Sequence, residues 1–164
     1  MLKKVKIKSV VCWSMVVLWM GLIFYFSAQP ASESSELSSG VTEIVARAFG
    51  VFVPEAIIGF DTLHLLVRKG AHFFVYFVLG ILVVNAFNVS GFSQAKSIYL
   101  SFAICVIYAI SDEVHQLFVP GRSGEVTDVI IDSIGAGFGI GCFLGIGKLL
   151  DRYRRKRLNR SSDL

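Results

Sequence analysis

Charged side chains are scarce in this chain of 164 residues. Asp, Glu, Lys and Arg make up 17% of it, whereas soluble domains carry about a quarter. Several runs contain almost no charge over about 20 residues, the length at which a helix crosses a bilayer. The scarcity of charge excludes an ordinary soluble domain and predicts an all-α integral membrane bundle. The length predicts a single domain, residues 1–164.

The chain also lacks the short motifs of the common catalytic classes. It has three cysteines, none of them in a CxxC pair, and an odd number argues against a disulfide framework. No GxSxG motif, HExxH motif or phosphate-binding glycine loop is present. Nucleophilic catalysis therefore has no positive support, and the sequence leaves open whether the protein is an enzyme.

Long apolar runs dominate the chain instead. They predict four transmembrane helices, at about residues 10–27, 69–87, 97–117 and 126–149. Between the first two, the polar segment 31–40 is predicted to be a turn, with Ser32 or Ser35 as a candidate cap for the helix that follows. Residues 41–49 have the helical spacing of a short amphipathic helix at the membrane interface.

Two GxxxG pairs lie in the fourth predicted span, Gly135 with Gly139 and Gly137 with Gly141. Such pairs allow two helix backbones to approach each other closely inside a membrane. Both pairs are therefore predicted to lie in helix–helix contacts.

Basic residues are concentrated on one side of the predicted bundle. With four spans, both termini and the turn at 88–96 share a side, which holds twelve Lys and Arg residues against four on the other. The positive-inside rule then predicts that both termini are cytoplasmic and that the helix at 41–49 is extracytoplasmic. The basic tail, residues 150–164, is expected to lie against anionic lipid and not to bind nucleic acid.

Polar residues recur every three or four positions in the last three predicted spans, so each row shares one helix face. The rows are Arg68, His72 and Tyr76, with Lys69 beside them; Tyr108, Asp112 and Gln116, with Glu113 and His115 beside them; and Glu125, Asp128 and Asp132, with Arg122 in the preceding loop. Charged groups are costly in hydrocarbon unless they are paired. The rows are therefore predicted to face one another and to form one polar site on the outer side.

Three chemistries fit these residues, and the sequence does not choose among them. The site could perform acid/base catalysis on a lipid-linked phosphate or glycan, bind a headgroup without changing it, or hold a metal. Carboxylates suit a hard cation and imidazole suits zinc, but no ligand spacing is specific, so metals and cofactors stay unassigned. The candidate catalytic residues are Asp112, Glu113, His72 and Asp132. The candidate ligand-binding residues are Arg68, Lys69, Tyr76, Gln116, Arg122 and Asp128.

A plainer alternative is that these groups only connect the spans. Asp112 would then pair with Arg122, and Asp132 with Arg68. The number of ionisable and amide groups argues against this interpretation, because a clamp between two spans needs only two charges.

Three blocks of the sequence resemble the VanZ-like membrane family. They are FSAQP at 26–30, RKGAHFFVYFVLG at 68–80 and YAISDEVHQLFVPGRSGEVTDVIIDSIGAGFG at 108–139. The second and third blocks contain all ten candidate residues. One departure is Val75, where many members of the family carry an acidic residue before the tyrosine. Any chemistry that uses this acid must rely on another carboxylate here.

The resemblance implies a protein of the bacterial cytoplasmic membrane that is linked to tolerance of the lipoglycopeptide teicoplanin or to cell-envelope physiology. Its implied partners are membrane lipids and a lipid-linked envelope precursor or lipoglycopeptide. The first hypothesis is therefore a binding protein for a lipid-linked or anionic envelope ligand. The alternative is an intramembrane acid/base or metal-assisted enzyme that acts on a lipid phosphate or glycolipid. A lipid transporter is a third hypothesis, and the sequence leaves the oligomeric state open.

Overall fold

The structure, a computed structural model, describes residues 2–49 and 59–162 and is helical in both ranges apart from the connecting turns. Four of the described helices are long and apolar enough to cross a membrane, namely α1, α3, α4 and α5. This confirms the all-α membrane bundle. The helices are α1 (Leu2–Ser27), α2 (Ala31–Phe49), α3 (Phe60–Val89), α4 (Gln94–Gln116) and α5 (Val126–Ser162).

Helix α2 begins at Ala31, before both candidate caps, so Ser32 and Ser35 lie inside the helix and the turn predicted at 31–40 is wrong. Serine disfavours helix interiors because its hydroxyl competes for backbone groups. Here three hydroxyls donate to carbonyls four residues earlier and so are satisfied within the helix. These bonds, of 2.7–2.8 Å, run from Ser38 to Ser34, from Ser39 to Ser35 and from Thr42 to Ser38.

Helix α3 begins at Phe60, well before the predicted start of its span at 69, and α5 continues through the basic tail as far as Ser162. Both helices therefore extend past the apolar runs that identified them. Hydropathy marks the part of a helix that suits hydrocarbon, whereas the helix itself ends where its backbone hydrogen bonding ends.

The closest packing in the bundle is between α3 and α5. A Cβ atom at Gly135 or Gly139 would overlap the backbone carbonyl oxygen of Phe73 or Phe77, and Gly80 approaches the α5 backbone in the same way. Only glycine permits such contact. The Gly135–Gly139 prediction is confirmed, and we call this contact the glycine seam.

The second GxxxG prediction is wrong. A Cβ atom at Gly141 would meet nothing within 4 Å, and one at Gly137 would make only an ordinary contact with the Phe102 ring at 3.7 Å. These two glycines lie on the other side of α5 from the seam, so they bring no helix close.

The helix directions collect the polar rows at one end of the bundle. The hydroxyls of Ser9 and Ser90 lie 2.6 Å apart, which places the start of α1 beside the α3–α4 turn. Successive α5 residues meet successive α3 residues, so these two helices run parallel. The opposite end therefore holds the ends of α1 and α4 and the starts of α3 and α5. We call it the polar end.

Candidate functional site

The loop between α4 and α5 positions Arg122. Gly121 has a φ of +75°, a left-handed conformation that glycine adopts at little cost. The Arg122 side chain donates from Nη1 to Gln116 Oε1 at 3.1 Å and from Nη2 to the Phe26 carbonyl at 3.4 Å. Its buried Nε finds no partner in the described part of the chain. Arg122 is thus held in place and retains N–H groups that can donate to a ligand.

The charge of Arg122 is less stabilised than that of a free arginine. Burial, followed by the nearby charge of Arg68, lowers the pKa of Arg122 from its ordinary value. A guanidinium group remains protonated even so. An anion placed beside Arg122 would therefore offset both the cost of burying its charge and the repulsion from Arg68.

Gln116 connects the carboxylates of α4. It is 1% exposed, and its Nε2 lies 3.3 Å from both Asp112 Oδ2 and Glu113 Oε1. Glu113 Oε2 also accepts the backbone N–H of Glu125 at 2.7 Å, which anchors the start of α5. Asp112 Oδ1 is buried and has no hydrogen-bond partner among the described residues.

The α3 and α5 rows face each other directly. Lys69 Nζ donates to Glu125 Oε2 at 2.8 Å and also to Asp128 Oδ1. The first of these bonds lowers the pKa of Glu125 from its ordinary value. One turn deeper, His72 Nδ1 lies 3.4 Å from Asp132 Oδ1. That pair does not have hydrogen-bond geometry, and both Asp132 oxygens are buried without a partner in the described ranges.

Tyr76 lies at the centre of the polar end. It is 0% exposed, its ring centroid is 6.3 Å from that of Tyr108, and its hydroxyl has no hydrogen-bond partner in the part of the chain described. Tyr108, by contrast, donates to the Met20 carbonyl at 2.6 Å. Tyr108 therefore connects helices, whereas the hydroxyl of Tyr76 is left available.

A cavity of about 680 Å³ opens from these residues. Its walls are mostly apolar and come from α1, α2 and α3, for example Leu22, Leu37, Val41 and Phe74. This volume is in the range of small-molecule sites. Its polar lining consists chiefly of Arg68, His72, Tyr76, Asp112, Gln116 and Arg122.

Charge is unevenly paired around the cavity. The carboxylates of Asp112, Glu113, Asp128 and Asp132 are each at most 5% exposed. Among the described residues, only Lys69 and His72 bring a basic nitrogen within 4.0 Å of any of them. Neither Arg68 nor Arg122 has a carboxylate within 4.0 Å in the same ranges. The predicted structural pairs Asp112–Arg122 and Asp132–Arg68 are therefore wrong, and both arginines remain available to an external anion.

A family model described as VanZ/LLP1 matches residues 12–149, most of the chain and all of the polar end. The chain belongs to the VanZ/LLP1 family. This confirms the resemblance seen in the sequence, and with the four apolar helices it makes the chain a multi-pass membrane protein. No curated protein and no solved structure matches the chain significantly.

All ten candidate residues of this VanZ/LLP1 protein lie at the polar end, and the roles given to them remain predictions. His115, which also lies near the end of α4, faces α1, because its ring packs on Phe24 with centroids 4.4 Å apart. The ten are Arg68, Lys69, His72, Tyr76, Asp112, Glu113, Gln116, Arg122, Asp128 and Asp132.

Sequence reasoning missed the contribution of α1 and α2. Ser27 and Gln29 line the cavity, and Phe26 accepts a hydrogen bond from Arg122. The FSAQP block at 26–30 was the available signal, since it combined polar residues with the end of a span. The α2 wall gave a weaker signal, because its first half was predicted to be a turn.

Proposed function

We propose that this VanZ/LLP1 protein binds a lipid-linked anionic headgroup at its polar end, with the hydrocarbon chain in the apolar part of the cavity. The observation that supports this most strongly is the presence of Arg68 and Arg122, without carboxylate partners in the described chain, at one end of an apolar cavity. Guanidinium groups bind phosphate and carboxylate in a bidentate manner.

The distribution of basic residues supports an orientation for this site. The side that carries both termini has twelve of the sixteen Lys and Arg residues, which favours cytoplasmic termini and a polar end in the outer leaflet of the bacterial cytoplasmic membrane. The helix α2 would then lie on the extracytoplasmic side. Tags at either terminus should be protected from protease in intact spheroplasts, and a tag in the 117–125 loop should be cleaved.

Ligands of two kinds fit this division into an apolar cavity and a cationic end. A lipid-linked envelope precursor joins a long chain to a phosphate, and a lipoglycopeptide joins an acyl chain to a polar head. Binding of either kind would connect the site to teicoplanin tolerance. In a susceptible bacterium, the wild-type protein should raise tolerance, and Arg122→Ala at equal abundance should not.

Native mass spectrometry tests the binding function directly. Polyprenyl phosphate and phosphatidylglycerol should bind the purified protein, and zwitterionic phosphatidylcholine should bind much more weakly. Arg122→Ala should weaken binding of the phosphates about 10- to 100-fold, the loss expected for one charge-assisted contact. The matched control is Arg47→Ala, which removes an exposed arginine that pairs with Glu43 on α2. Equal binding of anionic and zwitterionic lipid would contradict the proposal.

A second candidate function is acid/base catalysis on the bound phosphate or glycolipid. It is favoured by Asp112, whose Oδ1 is buried without a partner in the described chain, and by the Tyr76 hydroxyl in the same state; both residues line the cavity with the arginines. A positioned carboxylate near a phosphate ester can transfer a proton in the transition state. Asp112→Asn should then keep lipid binding and abolish conversion of the lipid, as followed by chromatography. If the wild-type protein leaves the lipid unchanged, catalysis is excluded and binding is the only function of the two that stands.

A further inference from the structure

We propose that the polar end holds one divalent cation between His72, Glu113 and Asp128. One ligand atom from each of these residues lies within 4.8 Å of the other two. The residues come from α3, α4 and α5, so the fold itself assembles the group. One imidazole with two carboxylates suits Zn²⁺ or Mn²⁺ better than Mg²⁺, which prefers oxygen ligands alone. The proposal goes beyond lipid binding and does not depend on it.

The first support is the balance of buried charge. The side chains of Asp112, Glu113, Asp128 and Asp132 are between 0 and 5% exposed. In the described ranges a single ammonium group, that of Lys69, contacts any of them. Buried carboxylates without counter-charges are costly unless they take up protons or a cation. A divalent ion bound to the three ligands would place two positive charges among these four carboxylates.

The second support is the state of Asp132, which is not one of the three ligands. This carboxylate is 0% exposed, and neither of its oxygens has a hydrogen-bond partner among the described residues. Its Oδ1 lies 3.4 Å from His72 Nδ1. Metal-binding histidines usually donate their second ring N–H to a carboxylate or carbonyl. A cation at His72 Nε2 would leave Nδ1 protonated, and Asp132 would become its acceptor.

The existing hydrogen bonds leave room for such a cation. Glu113 accepts from the Glu125 backbone and from Gln116, and Asp128 accepts from Lys69. A carboxylate offers about four lone-pair positions, so each of the two retains capacity for a metal bond. The ammonium of Lys69 is nevertheless a like charge at the edge of the site. Removing it should strengthen cation binding, a gain that a purely structural role for these residues would not produce.

The position of the proposed cation beside the cavity would allow it to contact a bound headgroup. His72 also lines the cavity, so the ion would lie at the same end as Arg68 and Arg122. A cation there polarises a phosphoryl oxygen and helps to orient it. A headgroup would then be contacted by Arg68 from α3, by Arg122 from the α4–α5 loop and by a cation held between three helices.

Manganese binding tests the proposal without any anionic lipid. The full-length protein is placed in phosphatidylcholine nanodiscs, stripped with chelator and titrated with Mn²⁺, and free Mn²⁺ is read by electron paramagnetic resonance. We expect one saturable Mn²⁺ per chain. Glu113→Gln and Asp128→Asn should each weaken binding about 10- to 100-fold, whereas Lys69→Ala should tighten it several-fold. Asp112→Asn is the matched control, a buried carboxylate outside the three ligands, and should retain the site.

Two histidine variants provide a second, spectroscopic arm. Spin-echo modulation from a bound ¹⁴N should accompany Mn²⁺ in the wild-type protein, vanish in His72→Gln and persist in His115→Gln, whose ring packs on Phe24. If Glu113→Gln or Asp128→Asn fails to fold, three measurements still test the cation site. They are the Mn²⁺ stoichiometry of the wild-type protein, its ¹⁴N signal and the Mn²⁺ affinity of Lys69→Ala. No saturable Mn²⁺ binding, equal loss in Asp112→Asn, or a ¹⁴N signal that survives His72→Gln would overturn the proposal.

These outcomes are separable from those of lipid binding. Arg122→Ala should lose the phosphate lipid and keep Mn²⁺, because Arg122 is not one of the three ligands. Mn²⁺ binding without lipid selectivity would leave the cation site standing and remove the proposed lipid function.

Discussion

The two halves of the α3–α5 contact differ in what holds the helices together. In the glycine seam, Gly80, Gly135 and Gly139 bring backbones into direct contact. At the polar end the same helices meet through Lys69 with Asp128 and through His72 with Asp132. The seam has no polar side chain to satisfy. The polar end leaves several buried oxygens without partners in the described chain.

This difference indicates a division of labour along one helix pair. Inside a bilayer the hydrophobic effect does not drive helices together, so close backbone packing must supply much of the attraction. The seam therefore provides stability. The polar end lowers the stability of the bundle, because buried carboxylates without full pairing are costly. Substitutions that disturb the seam should therefore lower stability, whereas removal of an unpaired carboxylate at the polar end should raise it.

The largest expected effect is in the seam. Gly139→Leu would place a side chain where the Phe77 carbonyl lies, and two rigid backbones cannot move apart without losing the contact. We expect destabilisation of about 3 kcal/mol or more and a large drop in monodisperse protein on size-exclusion chromatography. The matched control is Gly141→Leu on the same helix, where a Cβ atom meets nothing within 4 Å. Equal loss in both variants would mean that the seam has no special role.

A smaller effect of opposite sign is expected at the polar end. Asp132→Asn removes a buried charge whose oxygens lack hydrogen bonds in the described chain, while it keeps the shape of the side chain. Because a buried carboxylate without hydrogen bonds is costly, the metal-free variant should be more stable by about 1–3 kcal/mol and should melt a few degrees higher in detergent. Its Mn²⁺ affinity should fall, since the neutral amide oxygen of asparagine is a weaker acceptor for His72 than a carboxylate oxygen. A variant less stable than the wild-type protein would show that this carboxylate is well compensated and that the polar end does not reduce stability.

The smallest effect concerns Glu125 at the exposed edge of the polar end. The hydrogen bond from Lys69 lowers the pKa of Glu125, so its contribution is present above the ordinary pKa of a glutamate and is lost as pH falls through the lowered value. The side chain is 45% exposed, so solvent screens the pair and the contribution is small.

Melting curves recorded from neutral to acid pH should show this loss in the wild-type protein and not in Glu125→Gln. The difference between the two proteins should disappear at the acid end. Glu43→Gln, which removes an exposed partner of Arg47 on α2, is the control for a general effect of removing one carboxylate. A wild-type curve parallel to that of Glu125→Gln at every pH would contradict the role given to the Lys69 contact.

The helices and the gathering of polar residues were predictable because both follow from spacing. A row such as Arg68, His72 and Tyr76 must share a helix face, and four spans fix which helix ends meet. The first half of α2 was not predictable in this way. Its serines intrinsically disfavour a helix. The hydrogen bonds from the Ser38 and Ser39 hydroxyls to carbonyls four residues earlier override that preference, but they exist only once the helix has formed.

The pairing of individual side chains was also beyond the sequence. Gly137 and Gly141 repeat the same motif as Gly135 and Gly139, and only the rotation of α5 decides which pair meets α3. The same rotation places Asp132 beside His72 and away from Arg68. The spacing of residues in the sequence determines which of them share a helix face. Which residue of a neighbouring helix each one contacts depends on the rotation of both helices about their axes.

Identification of the lipid that the protein retains tests most directly whether Arg122 holds an anionic headgroup. Wild-type protein and Arg122→Ala would be purified in the same mild detergent, their lipids extracted, and phosphate-bearing species counted per chain by mass spectrometry. We expect one anionic lipid equivalent with the wild-type protein, depleted in Arg122→Ala and retained in Arg47→Ala. An identical lipid complement in all three proteins, at equal folded yield, would contradict this role of Arg122.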